Sequence, residues 1–110
     1  IIEKNVEIIG TVMLGKNSII KSGTKIIGPI IIGENSIIES NTIVGPNTSI
    51  GNNVTLQDCQ INNSIIMDNC IINGKINIKN SIISFNSNIS KQNENNENVF
   101  LLGEGTRIIL

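Results

Sequence analysis

The sequence predicts an all-β fold, a solenoid of short parallel strands wound into stacked triangular coils. Three observations favour it. Branched aliphatic residues recur at every sixth position. The chain contains twenty-seven Ile but only two Phe and no Trp or Tyr, and it contains nineteen Asn, a residue typical of turns. A core of this composition stacks one β-branched shape repeatedly, whereas an irregular interior needs aromatic side chains to fill its gaps.

The six-residue repeat is unbroken over the first half of the chain. Its aliphatic position is occupied ten times in succession, by Ile2, Ile8, Leu14, Ile20, Ile26, Ile32, Ile38, Val44, Ile50 and Leu56. A period of six is neither that of an α-helix nor that of a plain strand, so it indicates a short strand and a turn, repeated. The residue three positions later is Asn in six repeats, namely Asn5, Asn17, Asn35, Asn41, Asn47 and Asn53. Because Asn tolerates positive φ, we expect these residues to form the corners, with three faces closing each coil.

The second half keeps the pattern with some steps of five residues. Its inward aliphatics are predicted to be Ile61, Ile66, Ile72, Ile78, Ile83 and Ile89. A five-residue step shortens one side of a coil without ending the stack, so residues 1–89 are predicted to form about five coils. In this phase Cys70 falls at an inward small position and Cys59 near a corner as a turn residue. Both are expected to be unbridged thiols, since two cysteines are too few for a disulfide scaffold.

The C-terminal end departs from the repeat. Residues 90–98 contain no apolar side chain and are predicted to form a polar loop. Residues 99–110 return to aliphatic runs and are predicted to be terminal capping strands, with Phe100 plugging the last coil. The chain begins in repeat phase without Met, so we expect one domain that is a fragment of a longer chain.

Composition excludes several classes of function. The net charge is −1 and no basic stripe or aromatic platform is present, so no nucleic-acid partner is expected. The longest apolar run, Val99–Leu102, is far shorter than the roughly 20 residues that span a bilayer, so no membrane association is expected. Two lone thiols in a domain decorated with Lys and Glu fit a reducing cytoplasm, which is the expected location.

Two repeats, Ile32-Gly-Glu-Asn-Ser36 and Ile50-Gly-Asn-Asn-Val54, resemble the hexapeptide-repeat family, which implies a left-handed β-helix. The stretches 63–72, 78–89 and 99–110 resemble the C-terminal domain of long-form glucose-1-phosphate thymidylyltransferases, although related sugar-phosphate uridylyltransferases have similar tails. The resemblance implies a parent enzyme that joins a nucleoside triphosphate to a sugar 1-phosphate with Mg²⁺ and releases pyrophosphate. That reaction belongs to an N-terminal catalytic domain, whose residues have no counterpart here. We therefore expect no catalytic residue, cofactor or metal site in this segment. Its expected partner is the N-terminal domain of the same protein.

The alternative is a hexapeptide-type acyl- or acetyltransferase domain acting on a sugar phosphate. Such enzymes use a His as general base, and carbonic anhydrase-like relatives use three His residues to bind zinc. This chain has no His. A carboxylate base could be sought among Glu34, Glu39 and Asp68. We interpret these three as solvated surface acids.

The residues just before each inward aliphatic are predicted to point outward and to stack from coil to coil. One predicted column comprises Ile1, Ile19, Ile37, Thr55 and Ile71. A second comprises Met13, Ile31, Ser49, Ile65 and Ile82, and the third is mostly polar, with Glu7, Lys25, Ile43, Gln60 and Asn77. Because exposed apolar ridges usually mark contact surfaces, the aliphatic members of the first two columns are predicted to form a homo-oligomer interface, a trimer being the first expectation.

Overall fold

The chain is all-β over the part that the computed structural model describes, residues 1–90 in full and the backbone of three short strands beyond them. The strands are β1 (Glu7–Ile9), β2 (Val12–Leu14), β3 (Ile19–Ile20), β4 (Lys25–Ile27), β5 (Ile30–Ile32), β6 (Ile37–Ile38), β7 (Ile43–Val44), β8 (Thr48–Ile50), β9 (Thr55–Gln57), β10 (Gln60–Asn62), β11 (Ile65–Ile66), β12 (Ile71–Asn73), β13 (Asn77–Lys79), β14 (Ile82–Ile83), β15 (Asn88–Ser90), β16 (Glu97–Asn98), β17 (Leu101–Leu102) and β18 (Arg107–Ile109).

Every third strand belongs to the same parallel sheet, so three consecutive strands make one coil. Sheet 1 contains β1, β4, β7, β10, β13 and β16; sheet 2 contains β2, β5, β8, β11, β14 and β17; sheet 3 contains β3, β6, β9, β12, β15 and β18. The result is a parallel β-solenoid of about five turns, consistent with a left-handed β-helix. The predicted fold class is therefore confirmed.

The core is a set of aliphatic ladders inside the coils. The predicted inward aliphatics from the second coil onward are all buried: Ile20, Ile26, Ile32, Ile38, Val44, Ile50, Leu56, Ile61, Ile66, Ile72, Ile78, Ile83 and Ile89. In the first coil Ile2 is 49% exposed, because only one side of that coil is stacked on another here. Each ladder therefore excludes water through contact between coils, as in other solenoids.

The five-residue steps leave the inward ladders in register. Ile50 pairs with Ile66 and Ile61 with Ile78, so aliphatic still stacks on aliphatic where a corner is one residue shorter. Within the first short step Asp58 takes the positive-φ turn position and Cys59 is fully buried. The prediction that Cys59 is a corner residue is wrong: it points inward, at the small position that Gln60 would hold in an unbroken repeat.

The corners use Asn as predicted. All six Asn residues singled out from the repeat have positive φ, between 56° and 64°. Among the described residues every non-glycine with positive φ is Asn or Asp. These short side chains reach a left-handed conformation that bulkier residues adopt only at a cost.

Buried hydroxyls join adjacent coils beside the corner of sheets 2 and 3. Ser18 Oγ donates to the Gly33 carbonyl at 2.6 Å and accepts the Ser36 backbone N–H at 2.9 Å. One coil further, Ser36 Oγ donates to the Gly51 carbonyl at 2.7 Å and accepts the Val54 N–H at 3.1 Å. Each of these two serine hydroxyls thus satisfies two backbone groups that the turn leaves unpaired, and in the next coil Val54 occupies the same inward position without a hydroxyl.

The C-terminal strands continue the three sheets. Glu97–Asn98 pairs with Asn77–Ile78, and the last two strands pair with β14 and β15. The segment predicted as a polar loop, 90–98, therefore has strand residues at both ends, since Ser90 belongs to β15. Residues 91–96, 99–100, 103–106 and 110, and with them the predicted Phe100 plug, lie outside the described residues.

Candidate functional site

The two aliphatic columns lie where the repeat places them. On sheet 2 the strand pairing stacks Met13, Ile31, Ser49, Ile65 and Ile82 in that order. On sheet 3 it stacks Ile19, Ile37, Thr55 and Ile71, and the bridge from Ile2 to Ile20 places Ile1 beside Ile19. We call these the sheet 2 column and the sheet 3 column.

Most side chains of the sheet 2 column are open to solvent. Met13 is 63% exposed and Ile31 54% exposed, and Ile65 and Ile82 are also exposed. On the sheet 3 column Ile1 and Ile71 are exposed, whereas Ile19 and Ile37 are half-buried against their neighbours. A contiguous row of exposed aliphatic side chains is unusual on a monomer surface and typically marks a contact.

A shallow groove of about 360 Å³ interrupts the sheet 2 column at Ser49. Ser49 stands between Ile31 and Ile65, so the smaller side chain leaves a gap in an otherwise aliphatic ridge. Thr11, Pro29 and Asn47 form one wall of the groove. This groove was not predicted from the sequence, although one small residue among large ones in a column is a signal for it.

The apolar area has polar borders. On sheet 3 the next outward positions are Lys21, Glu39, Gln57 and Asn73, and the Lys21 Nζ atom lies 3.1 Å from Glu39 Oε1. On sheet 1 the third column is paired as predicted and contains Glu7, Lys25, Ile43, Gln60 and Asn77. The sheet 2 and sheet 3 columns are therefore uncharged in themselves, although the corner between the two sheets carries Lys16, Glu34 and Asp68, and sheet 1 is the more polar side.

The three carboxylates considered as bases do not converge. Glu39 is paired with Lys21, on the edge of sheet 3 remote from the corner shared with sheet 2. Asp68 Oδ1 accepts the Asn52 backbone N–H at 2.8 Å, and Glu34 is exposed two coils away on the same corner. Two of the three carboxylates thus have structural partners, and no pair of them shares a cleft.

Both cysteines are buried free thiols. Desolvation raises the pKa of Cys59 to about 12, and burial likewise raises the pKa of Cys70. The Cys70 Sγ atom donates to the Ser84 carbonyl at 3.0 Å. Since the thiolate is the reactive form, these residues behave as small core side chains and not as nucleophiles.

Two kinds of feature are absent from the described residues. Within the residues that the structure describes, no three His, Cys, Asp or Glu side chains come together as metal ligands would. In that same part of the chain no helix is long and apolar enough to cross a membrane.

The chain matches one family model and is similar to a solved structure. The model, described as the GMPPB C-terminal domain, matches residues 26–109. The solved structure is a hexapeptide transferase family protein from Anaplasma phagocytophilum, with 20% sequence identity and a TM-score of 0.47; the match covers 98% of this chain and 68% of that chain. A comparison with curated proteins finds no significant match.

Proposed function

Because the chain belongs to the GMPPB C-terminal domain family of sugar nucleotidyltransferases, we propose that it is the non-catalytic assembly and stabilising domain of a sugar-nucleotide pyrophosphorylase. The family match confirms the predicted relationship to the C-terminal domains of sugar nucleotidyltransferases. The reaction itself, which joins a nucleoside triphosphate to a sugar 1-phosphate with Mg²⁺, is assigned to an N-terminal catalytic domain that this segment does not contain.

The observation that carries the proposal is the uncharged surface made by the sheet 2 and sheet 3 columns. Full burial of an exposed Ile side chain contributes about 1.5–3 kcal/mol. Most exposed Ile residues of the columns are already about half-buried, so each gains roughly half of that, and several together favour association. The occupant is either another copy of the chain or the catalytic domain. We propose a homo-oligomer, with a trimer as the expected size, because two apolar faces on either side of one corner suit a closed ring of identical subunits.

Acetyl transfer is the runner-up function, and the described residues do not favour it. General base catalysis needs a side chain within hydrogen-bond reach of the acceptor hydroxyl in an open cleft. Glu39 is held by Lys21, and Asp68 by a backbone N–H. The groove at Ser49 is lined mostly by aliphatic side chains and contains no carboxylate.

For nucleotide specificity we propose thymidylyl transfer to glucose 1-phosphate. Its support is the resemblance of residues 63–72, 78–89 and 99–110 to the tails of those enzymes. The matching family model is described in other terms, so this choice within the sugar nucleotidyltransferases rests on those three stretches alone.

The test is an assay of the full-length protein with two readouts. Pyrophosphate release is measured with each nucleoside triphosphate and a panel of sugar 1-phosphates, and acetyl transfer is measured from acetyl-coenzyme A to the same sugars. We expect pyrophosphate release, fastest with the thymidine nucleotide and glucose 1-phosphate, and no acetyl transfer. Preference for another nucleotide would overturn the specificity alone, whereas acetylated sugar phosphate would overturn the non-catalytic role.

A further inference from the structure

The corner between sheets 3 and 1 is one residue shorter in one coil than in the coils on either side of it. Counted between residues that pair across all three coils, the corner contains residues 57–59 in the middle coil, and residues 39–42 and 73–76 in the neighbouring coils. Because the middle corner lacks one residue, it is recessed between two longer corners.

A groove of about 250 Å³ lies at this recess. We call it the corner notch, and residues of three successive coils line it: Asn41, Asp58, Gln60, Lys75, Ile76 and Asn77. Pockets for drug-sized molecules are typically about 300–1,000 Å³. The corner notch is therefore suited to a smaller ligand.

Asp58 is the turn residue of the short corner. It has a φ of 62°, and its backbone N–H donates to Thr42 Oγ1 at 3.2 Å. Its side chain is half-buried. The backbone of Asp58 is thus held by the coil before it, and its carboxylate is a fixed acceptor in the notch.

The notch contains two opposite charges that do not pair with each other. Asp58 and Lys75 both line it, but no ion pair within residues 1–90 involves either side chain, the ion pair there being Lys21–Glu39. The remaining polar lining is made of side-chain amides, each of which can both donate and accept.

Charge balance favours a net-neutral ligand that carries both signs. An ammonium group of the ligand would donate to Asp58, and a carboxylate would accept from Lys75, each in a charge-assisted hydrogen bond of about 2.8 Å. A phosphate monoester has a charge of about −1.5 to −2 at neutral pH. It would satisfy Lys75 but would be repelled by Asp58.

We propose that the corner notch binds a small zwitterion of the α-amino acid class with a polar side chain. Asp58 binds the ammonium group and Lys75 the carboxylate, while the amides of Asn41, Gln60 and Asn77 select a polar side chain. This site is separate from the aliphatic columns, and it does not depend on the proposed assembly role.

The experiment is isothermal titration calorimetry of the full-length protein with L-glutamine, L-asparagine and L-serine. N-acetyl-L-glutamine lacks the ammonium group and L-glutaminamide lacks the carboxylate, so each removes one of the two charged contacts. The test variants are Asp58→Asn, in which Asn keeps the positive φ, and Lys75→Gln, which changes an exposed side chain. The matched controls are Glu7→Gln and Lys25→Gln, on sheet 1 outside the notch.

The proposal predicts saturable binding of at least one of the three amino acids, with a Kd on the order of 1 mM for contacts in an open groove. Binding should weaken about tenfold or more in each test variant and with each derivative, and it should be unchanged in the controls. No saturable binding, or equal binding by Asp58→Asn and Lys75→Gln, would overturn the site. Equal binding of either derivative, or binding of glucose 1-phosphate that is lost in Lys75→Gln, would overturn the ligand class.

Discussion

The corner between sheets 2 and 3 is built differently in the two halves of the solenoid. In the first half its leading position is glycine three times, at Gly15, Gly33 and Gly51, and a Cβ atom on Gly33 would lie 2.7 Å from the Gly51 carbonyl. In the second half the same position is Met67 and then Ser84, and the backbone ladder continues at Met67, whose N–H donates to the Ile83 carbonyl. The corner therefore tolerates two solutions, whereas the aliphatic ladder inside the coil does not change.

This difference indicates that the aliphatic ladders inside the coils define the fold and that the corner residues adapt to them. The inward ladder of sheet 3, which includes Ile38 and Ile72, is continuous through both halves, although the number of residues per coil falls where five-residue steps occur. Turns adjust so that each aliphatic residue keeps its partner in the next coil. Stacking between coils is thus the dominant constraint, and the corner sequence is secondary.

Core truncation is the largest expected effect and should not distinguish the halves. Ile38→Ala and Ile72→Ala each remove a fully buried side chain from the same ladder, so each should lower the free energy of unfolding by about 2–5 kcal/mol. Urea unfolding of the two variants measures this. A loss below about 1 kcal/mol in only one of them would show that the ladder is not equally packed in both halves.

Corner substitution should distinguish the halves. Gly33→Ala forces a Cβ against the Gly51 backbone, which should cost about 1–3 kcal/mol or shift the coil. Met67→Ala at the equivalent position removes part of a half-buried side chain and should cost less. Comparing the urea midpoints tests the contrast, and equal losses would mean that the glycine corner is not under steric constraint.

Buried serines should behave alike at two corners, Ser36 between sheets 2 and 3 in the first half and Ser64 between sheets 1 and 2 in the second half. Ser36→Ala and Ser64→Ala each remove an oxygen that both donates to a carbonyl and accepts a backbone N–H. Each should cost about 1–3 kcal/mol, because buried polar groups lose their partners. Thr48→Val is the control, since it removes one hydrogen bond of 3.3 Å. If Thr48→Val lowered the free energy of unfolding as much as the serine variants do, the loss of two hydrogen-bond partners would not explain their effect.

Turn substitutions should have the smallest effect. Position 35 has a φ of 58°. Asn35→Ala replaces a side chain that can form local hydrogen bonds with one that cannot, which should lower the free energy of unfolding by about 1–2 kcal/mol. Asn35→Gly should be close to neutral, because glycine adopts positive φ freely. Asn86, at φ 61° in the second half, should give the same pair of results. Thermal unfolding of the four variants measures this, and a glycine variant as unstable as the alanine variant would show that the Asn side chain itself matters.

Periodicity alone was enough to predict the inward ladder, the Asn corners and the three outward columns, because each depends only on residue spacing. It could not place Cys59, since a five-residue step does not reveal which corner residue has been lost. The double role of Ser36 also escaped prediction, because it depends on carbonyls that only the closed coil brings near. The small Ser49 between Ile31 and Ile65 indicates a gap in the column, but the extent of the groove depends on side chains from four coils.

The central claim is that the faces of sheets 2 and 3 are contact surfaces, and the mass of the full-length protein by light scattering tests it most directly. The wild type should be an oligomer, and a trimer is expected. Ile19→Lys/Ile37→Lys should be a monomer, because it places two charges within the contact, whereas Ile43→Lys on the polar side should keep the wild-type mass. A monomeric wild type, or an unchanged mass for Ile19→Lys/Ile37→Lys, would contradict the account.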